Sequence, residues 1–260
     1  MSVDEAILEA VAGGQAPPTL RLYAWEPPCL SLGHAQPIHV VDRAALAAAG
    51  WDVVRRPTGG RSLLHTDELT YSVAALETSP GLAGGVLQSY RFLSQGLLAG
   101  LRALGLRPDE PGLTVVGEAD RRNPVCFEVP SAYEVTVRGR KLIGSAQLRR
   151  RGTLLQHGSL PLHGDLTRVV KVLRYPTEEA RREAAARLRR HATTVEEAGG
   201  RVVTFEEAAG ALADGFASAL GWPLEQGLLT STEESIAGQL EASLYRNALE
   251  IPVGSRGQDA

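Results

Sequence analysis

Two scarce residue types could supply the chemistry of this 260-residue chain: cysteine, at Cys29 and Cys126, and lysine, at Lys141 and Lys171. The thiolate of cysteine is a strong nucleophile, and a nearby ammonium lowers the pKa of a thiol. Cys29 lies in an apolar strand pattern typical of a buried, inert thiol. Cys126 lies at the end of a polar stretch, which favours access, and the residues leave open whether it is reactive or buried. Lys141 opens a predicted strand, whereas Lys171 fits an exposed helix face.

Arginine supplies the rest of the 27 basic residues, which face 30 acidic ones and give a net charge of −3. A GC-rich genome explains this bias, so a retained lysine marks a position that can require an ammonium rather than a guanidinium. The mildly acidic chain lacks the basic surface of a nucleic-acid binder. Two cysteines cannot build a disulfide framework, and no apolar run could span a membrane. We therefore expect a cytoplasmic protein with neither nucleic-acid nor membrane partners.

The segment of residues 55–61, with sequence RRPTGGR, follows a predicted strand and precedes a histidine. Paired glycines allow a tight turn that presents backbone N–H groups to a carbonyl or phosphate, and the arginines suit an anionic or polar group. The alternative is a plain turn on an arginine-rich surface. Neither a P-loop nor a dinucleotide-binding fingerprint is present. The candidate binding residues are Arg55, Arg56, Thr58, Gly59, Gly60, Arg61 and His65.

Two later strands contain the remaining candidate binding residues, which are Gly144, Ser145, Ala146, His157 and Gly158. Small residues inside a strand often mark the close approach of a ligand, although a bulge is the alternative. A lone histidine on a strand is more often structural than catalytic. Because the chain has no Cys-x-x-Cys motif and no Cys/His cluster, we expect no metal site.

The elements that must position these residues interleave without a regular βαβ repeat. Helices are predicted over residues 2–12, 42–49, 89–104, 166–173, 178–190, 205–220 and 233–249. Strands are predicted over residues 20–25, 29–32, 51–56, 69–75, 113–116, 133–137, 141–148 and 153–160. This pattern predicts the α+β class, with a mostly antiparallel mixed sheet flanked by helices.

The chain resembles the biotin/lipoate protein ligase and octanoyltransferase superfamily over about residues 1–225. The resemblance rests on three segments taken together: residues 55–61 with His65, residues 139–146 and residues 157–158. Biotin ligases have a loop richer in glycine and arginine. Lipoate–protein ligases usually show a third glycine in place of Arg61 and an Asn-Asp pair in place of the Ser-Ala-Tyr at 131–133. This chain is instead similar to the cysteine-dependent octanoyltransferases that act on the glycine-cleavage H protein. The similarity lies in Val125-Cys126-Phe127, in Pro130-Ser131 and in the spacing from Cys126 to Lys141.

This resemblance implies a biotin/lipoate ligase-like catalytic domain, with Cys126 as the acyl-carrying nucleophile and Lys141 lowering its pKa. The implied reaction moves an octanoyl group from octanoyl-acyl carrier protein, through a Cys126 thioester, to a lysine of the H protein or another lipoyl domain. It is the first step of lipoate assembly and needs no cofactor.

Two alternatives stay open. One is an ATP-dependent lipoate–protein ligase that works through lipoyl-AMP, would use ATP and Mg²⁺, and would leave Cys126 a bystander. The other is an inactive protein that binds lipoyl domains.

The predicted organisation is a catalytic domain over residues 1–225 and a helical extension over residues 226–260 with a frayed tail. The extension is too short for the accessory domain that many lipoate ligases append. The family implies a strand ahead of the first helix, and this chain begins inside that helix. We therefore expect either a start codon assigned too late or a sheet without that edge strand.

Overall fold

The computed structural model describes residues 1–109 and 134–246 and has the predicted α+β architecture. The helices are α1 (Ser2–Ala12), α2 (Arg43–Ala48), α3 (Val86–Ala103), α4 (Glu178–His191), α5 (Val195–Gly199), α6 (Phe205–Leu220) and α7 (Ser231–Leu240). The strands are β1 (Thr19–Tyr23), β2 (Cys29–Leu32), β3 (Asp52–Arg55), β4 (Leu63–His65), β5 (Glu68–Leu76), β6 (Val135–Val137), β7 (Arg140–Arg150) and β8 (Thr153–Pro161). Two 3-10 helices (Ile38–Val40 and Leu166–Val172) and a π-helix (Glu241–Tyr245) complete these elements.

The larger sheet has five strands in the order β1-β5-β8-β7-β6, and every neighbouring pair is antiparallel. One face packs on α3 and α6, whose apolar side chains bury Leu69, Tyr71 and Val73 of β5. Leu93 and Leu97 of α3 belong to this core and are fully buried. The opposite face is covered at one end by α1.

The smaller sheet has the order β3-β2-β4, with β2 parallel to β3 and antiparallel to β4. It packs with α2, α4 and the 3-10 helix Leu166–Val172 around a second apolar core. The predicted mostly antiparallel, mixed arrangement is therefore confirmed, but it is divided between two sheets.

A threonine caps the N-terminus of each of the helices α4 to α7. The side chains of Thr177, Thr194, Thr204 and Thr230 each accept a hydrogen bond from a backbone N–H in the first turn of the helix that follows. Acidic residues follow each of them in the first turn, where they complement the helix dipole. These local signals explain why the sequence pattern placed the starts of α4 and α6 correctly.

Several element predictions were wrong in detail. The helix expected over residues 166–173 is a 3-10 helix, and the strand expected to reach Trp25 ends at Tyr23. Strand β4 and helix α5 were not predicted because elements of three and five residues are too short to show a period. The strand expected over residues 113–116 lies outside the described residues.

The helical part of the C-terminal extension packs on the first helix of the chain. Helix α7 contacts α1, and the hydroxyl of Tyr245 donates a hydrogen bond to the buried carboxylate of Glu5. The helix predicted over residues 233–249 begins at Ser231 and passes into the π-helix after Leu240. None of the helices in the described ranges is both long and apolar enough to cross a membrane.

Candidate active site

The two arginines of the 55–61 segment are buried, and their donors point at the protein backbone. Arg55 is 3% exposed, and its Nη1 donates to the carbonyls of Gly33, His34 and Gln36 at 3.0, 3.2 and 2.5 Å. Arg56 is 5% exposed and donates to the carbonyl of Gly59. Its Nη2 also donates to the carbonyl of Arg61 at 2.7 Å. These contacts fix the shape of the loop around Gly59 and Gly60.

The glycines of this loop have separate structural reasons. Gly60 has φ +90°, a left-handed conformation that favours glycine. Its carbonyl lies so close to Gly33 that a Cβ on Gly33 would meet it at 1.9 Å. Gly59 has neither constraint, because a Cβ there would meet no atom within 4 Å. Backbone conformation therefore explains Gly60 and packing explains Gly33, whereas neither explains Gly59.

Thr58 connects the loop to the larger sheet. Its hydroxyl lies 2.6 Å from Nε2 of His157 on β8, and both residues are buried. The carbonyl of Thr58 accepts a hydrogen bond from the backbone of His34 at 2.9 Å. Burial lowers the pKa of His157, and Asp4 opposes this effect only in part. The imidazole is therefore neutral near pH 7.

His65 belongs to a buried polar chain. Its Nδ1 lies 2.5 Å from the carboxylate of Glu68, and its Nε2 lies 2.8 Å from the hydroxyl of Ser31. Ser31 also accepts a hydrogen bond from Arg56 at 3.0 Å, and the indole of Trp25 stacks on the His65 ring at 4.3 Å. The serine, histidine and glutamate resemble a catalytic triad in order. However, Ser31 is 0% exposed and accepts from a guanidinium, so it is a structural link rather than a nucleophile.

The register of the larger sheet divides the other predicted binding residues between two faces. Directly paired residues share a face, so Gly144 and Ala146 lie with His157 on the side of the 55–61 loop. Ser145 and Gly158 lie on the opposite face with Tyr71.

On that opposite face, the Tyr71 hydroxyl donates to Ser145 at 2.7 Å. A Cβ on Gly158 would meet the Tyr71 ring at 2.6 Å. The side-chain positions of Ser145 and Gly158 therefore serve the packing of the core beneath α3 and α6.

Lys141 lies at the start of β7 and is 5% exposed. Its ammonium forms an ion pair with Glu134, whose side chain is 7% exposed. The backbone carbonyl of Lys141 accepts a hydrogen bond from Thr193 after α4 at 2.9 Å, so the strand is also tied down on that side. An ammonium is thus present inside the protein at the position that the sequence singled out.

Asp109 shapes the turn that precedes Lys141. Its carboxylate accepts hydrogen bonds from the Thr136 hydroxyl at 2.7 Å and from the backbone of Arg138 and Gly139 at 3.0 and 2.8 Å. Burial favours the neutral acid, but these three hydrogen bonds together hold the pKa of Asp109 below its ordinary value. The turn residues Arg138 and Gly139 both have positive φ, and the carboxylate satisfies their N–H groups.

The structure describes Cys29 but not Cys126. Cys29 is buried in β2, and burial, helped by Asp52, raises the pKa of its thiol to about 12. The interpretation of Cys29 as an inert core residue is confirmed. Cys126 lies outside the described residues, so its role remains a prediction.

Residues 1–217 match the family described as the lipoyl protein ligase A/B catalytic domain. The chain belongs to this family. Octanoyltransferase LipM of Kyrpidia tusciae is 48% identical over 248 residues, which cover 93% of this chain and 90% of that protein. Octanoyltransferase LipM of Symbiobacterium thermophilum is 45% identical over 253 residues, with 94% and 90% covered.

The solved structures that resemble this fold include lipoate–protein ligases. A bi-partite lipoate protein ligase from Thermoplasma acidophilum superposes with a TM-score of 0.75 at 25% identity, covering 93% of this chain and 86% of that one. A lipoate-protein ligase A bound with ATP superposes with a TM-score of 0.74 at 24% identity, covering 93% and 88%. The ligase-like catalytic fold expected from the sequence motifs is therefore confirmed.

Four acidic residues of this lipoyl protein ligase A/B domain contact the candidate site but were not predicted as part of it: Asp4, Glu68, Asp109 and Glu134. Each contacts a predicted site residue or the turn beside one. Asp4 and Asp109 lie far along the chain from those contacts, whereas Glu68 follows His65 by three residues and Glu134 precedes Lys141 by seven, with no motif to mark either. The one available signal was Asp4, an acid on the apolar side of a predicted helix. Within residues 1–109 and 134–246, no three His, Cys, Asp or Glu side chains are grouped so that they could hold a metal ion.

Hydrogen bonds from Arg56 hold the loop at Gly59 and Gly60, and Lys141 supplies a buried ammonium at the start of β7. Arg55 and Arg56 donate to backbone carbonyls, and Arg56 also donates to the Ser31 hydroxyl, so these contacts shape the loop. The neutral imidazole of His157 and the hydroxyl of Thr58 are the polar side chains that connect this loop to the small residues of β7.

Proposed function

We propose that this octanoyltransferase takes its acyl group from octanoyl-acyl carrier protein, stores it as a thioester on Cys126 and passes it to a lysine of a lipoyl domain. That the chain is an octanoyltransferase rests on the curated relatives. The observation that supports the thioester route is the buried ammonium of Lys141. An ammonium beside a thiol favours the thiolate, which is the nucleophilic form.

The reaction has two acyl transfers. In the first, the Cys126 thiolate attacks the carbonyl carbon of the donor thioester, a new C–S bond forms, and the carrier thiolate leaves and takes a proton. In the second, the amine of the acceptor lysine attacks the Cys126 thioester, a C–N bond forms, and the Cys126 thiolate is released along with one proton. The first step exchanges one thioester for another and the second forms a more stable amide, so neither requires ATP. The route predicts ping-pong kinetics.

The ends of the segment that contains Cys126 support its pairing with Lys141. Asp109, immediately before that segment, contacts the turn that precedes Lys141. Glu134, immediately after it, is the ion-pair partner of Lys141. Both described ends therefore meet the hairpin of β6 and β7, on which Lys141 lies.

The loop at Gly59 and Gly60 is the proposed binding site for the developing oxyanion, because backbone N–H groups of a fixed loop stabilise such a charge. Arg55, Arg56 and Arg61 contribute to its shape. The acceptor is a lipoyl domain, as the family implies, and the glycine-cleavage H protein is the specific acceptor that we propose.

The competing function is an ATP-dependent ligase, which the resemblance to the Thermoplasma ligase favours. The two are separated by the acyl source. The test incubates the protein with octanoyl-acyl carrier protein, or with octanoate, ATP and Mg²⁺, and measures the intact mass before and after adding an H protein.

We expect an adduct of about 126 Da, an octanoyl group replacing one hydrogen, with the carrier donor and without ATP. Cys29→Ala should form the adduct as the wild type does, whereas Cys126→Ala should not. Transfer from octanoate and ATP alone, at equal rates in wild type and Cys126→Ala, would replace the proposal with the ligase. A chain that binds the H protein but transfers nothing from either source would be the inactive binder.

A further inference from the structure

Asp4 has a buried carboxylate that accepts hydrogen bonds from two strands of the larger sheet, β1 and β5. Its side chain is 0% exposed in the first turn of α1. Its Oδ1 accepts hydrogen bonds from Arg21 at 2.8 Å and from the Ser72 hydroxyl at 3.0 Å. Its Oδ2 accepts from the Tyr23 hydroxyl at 2.7 Å. Burial raises the pKa of a carboxyl, but His157 and Arg21 are among the groups that hold the pKa of Asp4 far below its ordinary value.

Oδ2 of Asp4 also faces His157. It lies 3.7 Å from Nδ1 of the imidazole, and this Nδ1 has no hydrogen-bond partner among the residues that the structure describes. A carboxylate at that distance favours a proton on Nδ1 over a lone pair, because the lone pair would face a negative charge. A neutral imidazole with its proton on Nδ1 has a lone pair on Nε2. Nε2 is the atom that meets the Thr58 hydroxyl at 2.6 Å.

We propose that Asp4 is a positioning residue: it fixes the tautomer of His157 with the proton on Nδ1, so that Nε2 accepts a hydrogen bond from Thr58 and orients the Gly59-Gly60 loop. The order of contacts is Asp4, His157, Thr58, and then the loop that follows Thr58 in the chain. The effect on acyl transfer rests on the proposed function of that loop. The tautomer of His157 does not depend on that proposed function.

Asp4→Asn is the sharpest test, because the structure indicates how the amide would orient. Two donors, from Arg21 and Ser72, point at Oδ1, so the oxygen of the amide should stay there and the NH₂ should replace Oδ2. The NH₂ then faces Nδ1 of His157, where its positive hydrogens favour a lone pair on Nδ1 over a proton. The imidazole proton then moves to Nε2, which donates to the Thr58 hydroxyl instead of accepting from it.

Glu5→Gln is the matched control. Glu5 is the next residue of α1 and is likewise buried, but its partners are Tyr245 and Arg150 rather than His157. Both substitutions remove one buried negative charge from the first turn of the same helix. Only Asp4→Asn should alter the imidazole of His157.

The measurement is the ¹⁵N NMR spectrum of histidine-labelled protein, which separates protonated from unprotonated ring nitrogens. The chain has 6 histidines, and a His157→Gln sample assigns the relevant signals. We expect the Nδ1–H tautomer of His157 in the wild type and in Glu5→Gln, and the Nε2–H tautomer in Asp4→Asn. A wild-type Nε2–H tautomer, or an unchanged tautomer in Asp4→Asn, would overturn the proposal whether or not the protein transfers octanoate.

Acyl transfer is the second readout. We expect kcat/KM to fall by about 10-fold or more in Asp4→Asn, as wrong-tautomer variants of other histidine sites do, with little change in Glu5→Gln. A tautomer switch with equal kcat/KM in the two variants would rule out a positioning role.

If Asp4→Asn does not fold, Thr58→Val and Thr58→Ser test the hydrogen bond between Thr58 and Nε2 of His157, on which the proposal depends. Serine keeps the hydroxyl that meets Nε2, and valine keeps the shape without it. Transfer should fall in Thr58→Val and be largely kept in Thr58→Ser. Equal transfer by these two variants would overturn the proposal.

Discussion

The Lys141 ammonium and the Glu134 carboxylate form their ion pair beneath the protein surface, with side chains only 5% and 7% exposed. The preceding residue, Arg140, pairs with Glu197 at 2.9 Å, but those side chains are 32% and 53% exposed. Two neighbouring residues of one strand therefore make a buried pair and an exposed pair. Burial makes the loss of one partner costly, because the other charge stays in a medium that solvates it poorly.

The first prediction compares the partners of these two pairs. Glu134→Gln should lower the free energy of unfolding by about 3 kcal/mol, the range for breaking a buried ion pair. Glu197→Gln should lower it by less than about 1 kcal/mol, because water screens the exposed pair. Urea denaturation followed by circular dichroism measures both. Equal losses would show that the Lys141 pair is solvated in solution.

The second prediction concerns the reactivity of Cys29. Burial raises the pKa of its thiol to about 12, so it should remain unalkylated by iodoacetamide at pH 8 in the folded protein. It should react within minutes once the protein is unfolded in guanidinium. Peptide mass mapping of the alkylated sites measures this, and Cys126→Ala isolates the Cys29 signal. Rapid alkylation of Cys29 in the folded Cys126→Ala variant would contradict its place in the core.

The third prediction separates packing from function in the glycine loop. Gly33→Ala should destabilise the protein and displace the loop, because its Cβ would lie 1.9 Å from the Gly60 carbonyl oxygen. Gly59→Ala should fold with near wild-type stability, since its Cβ would meet nothing within 4 Å. If the loop binds the acyl carbonyl, Gly59→Ala should still reduce kcat/KM. Thermal unfolding and acyl-transfer assays of the two variants distinguish these effects.

The fourth prediction concerns the Asp109 carboxylate, whose pKa is lowered in the folded protein. Such a group stabilises the fold above the pKa of the unfolded chain, about 3.9, and this contribution is lost as the pH falls through the folded value. Asp109→Asn should therefore cost about 1 kcal/mol at pH 7 and less below pH about 4. Because the turn precedes Lys141, acyl transfer should fall as well.

Asp165→Asn is the control for that prediction. The Asp165 carboxylate also has a lowered pKa: burial opposes the shift, and hydrogen bonds from Thr167 outweigh it. Its loss should show the same pH dependence of stability without the loss of transfer. Equal transfer by the two variants would indicate that the Asp109 turn does not position Lys141.

Local patterns in the sequence predicted most of the elements because helix starts and amphipathic periods depend on neighbouring residues. Thr177 and Thr204 cap helices that begin at the predicted residues 178 and 205, and the buried Leu93 and Leu97 lie within the helix predicted over residues 89–104. The short strand β4 and the division into two sheets depend on pairing between distant segments. No local pattern reports such pairing.

In the candidate site, too, some features could be predicted from the sequence and others depend on the fold. The sequence by itself selected the glycine loop, His157 and Lys141, because scarce or conformationally special residue types are visible one position at a time. Only the tertiary structure decided that Arg55 and Arg56 point at backbone carbonyls and that Ser145 lies on the face opposite His157. It also supplied the acidic partners of Lys141 and His157, which are Glu134 and Asp4. Hydrogen bonds and charges act over a few ångströms in space, so the fold, and not the spacing along the chain, determines which carboxylate faces which base.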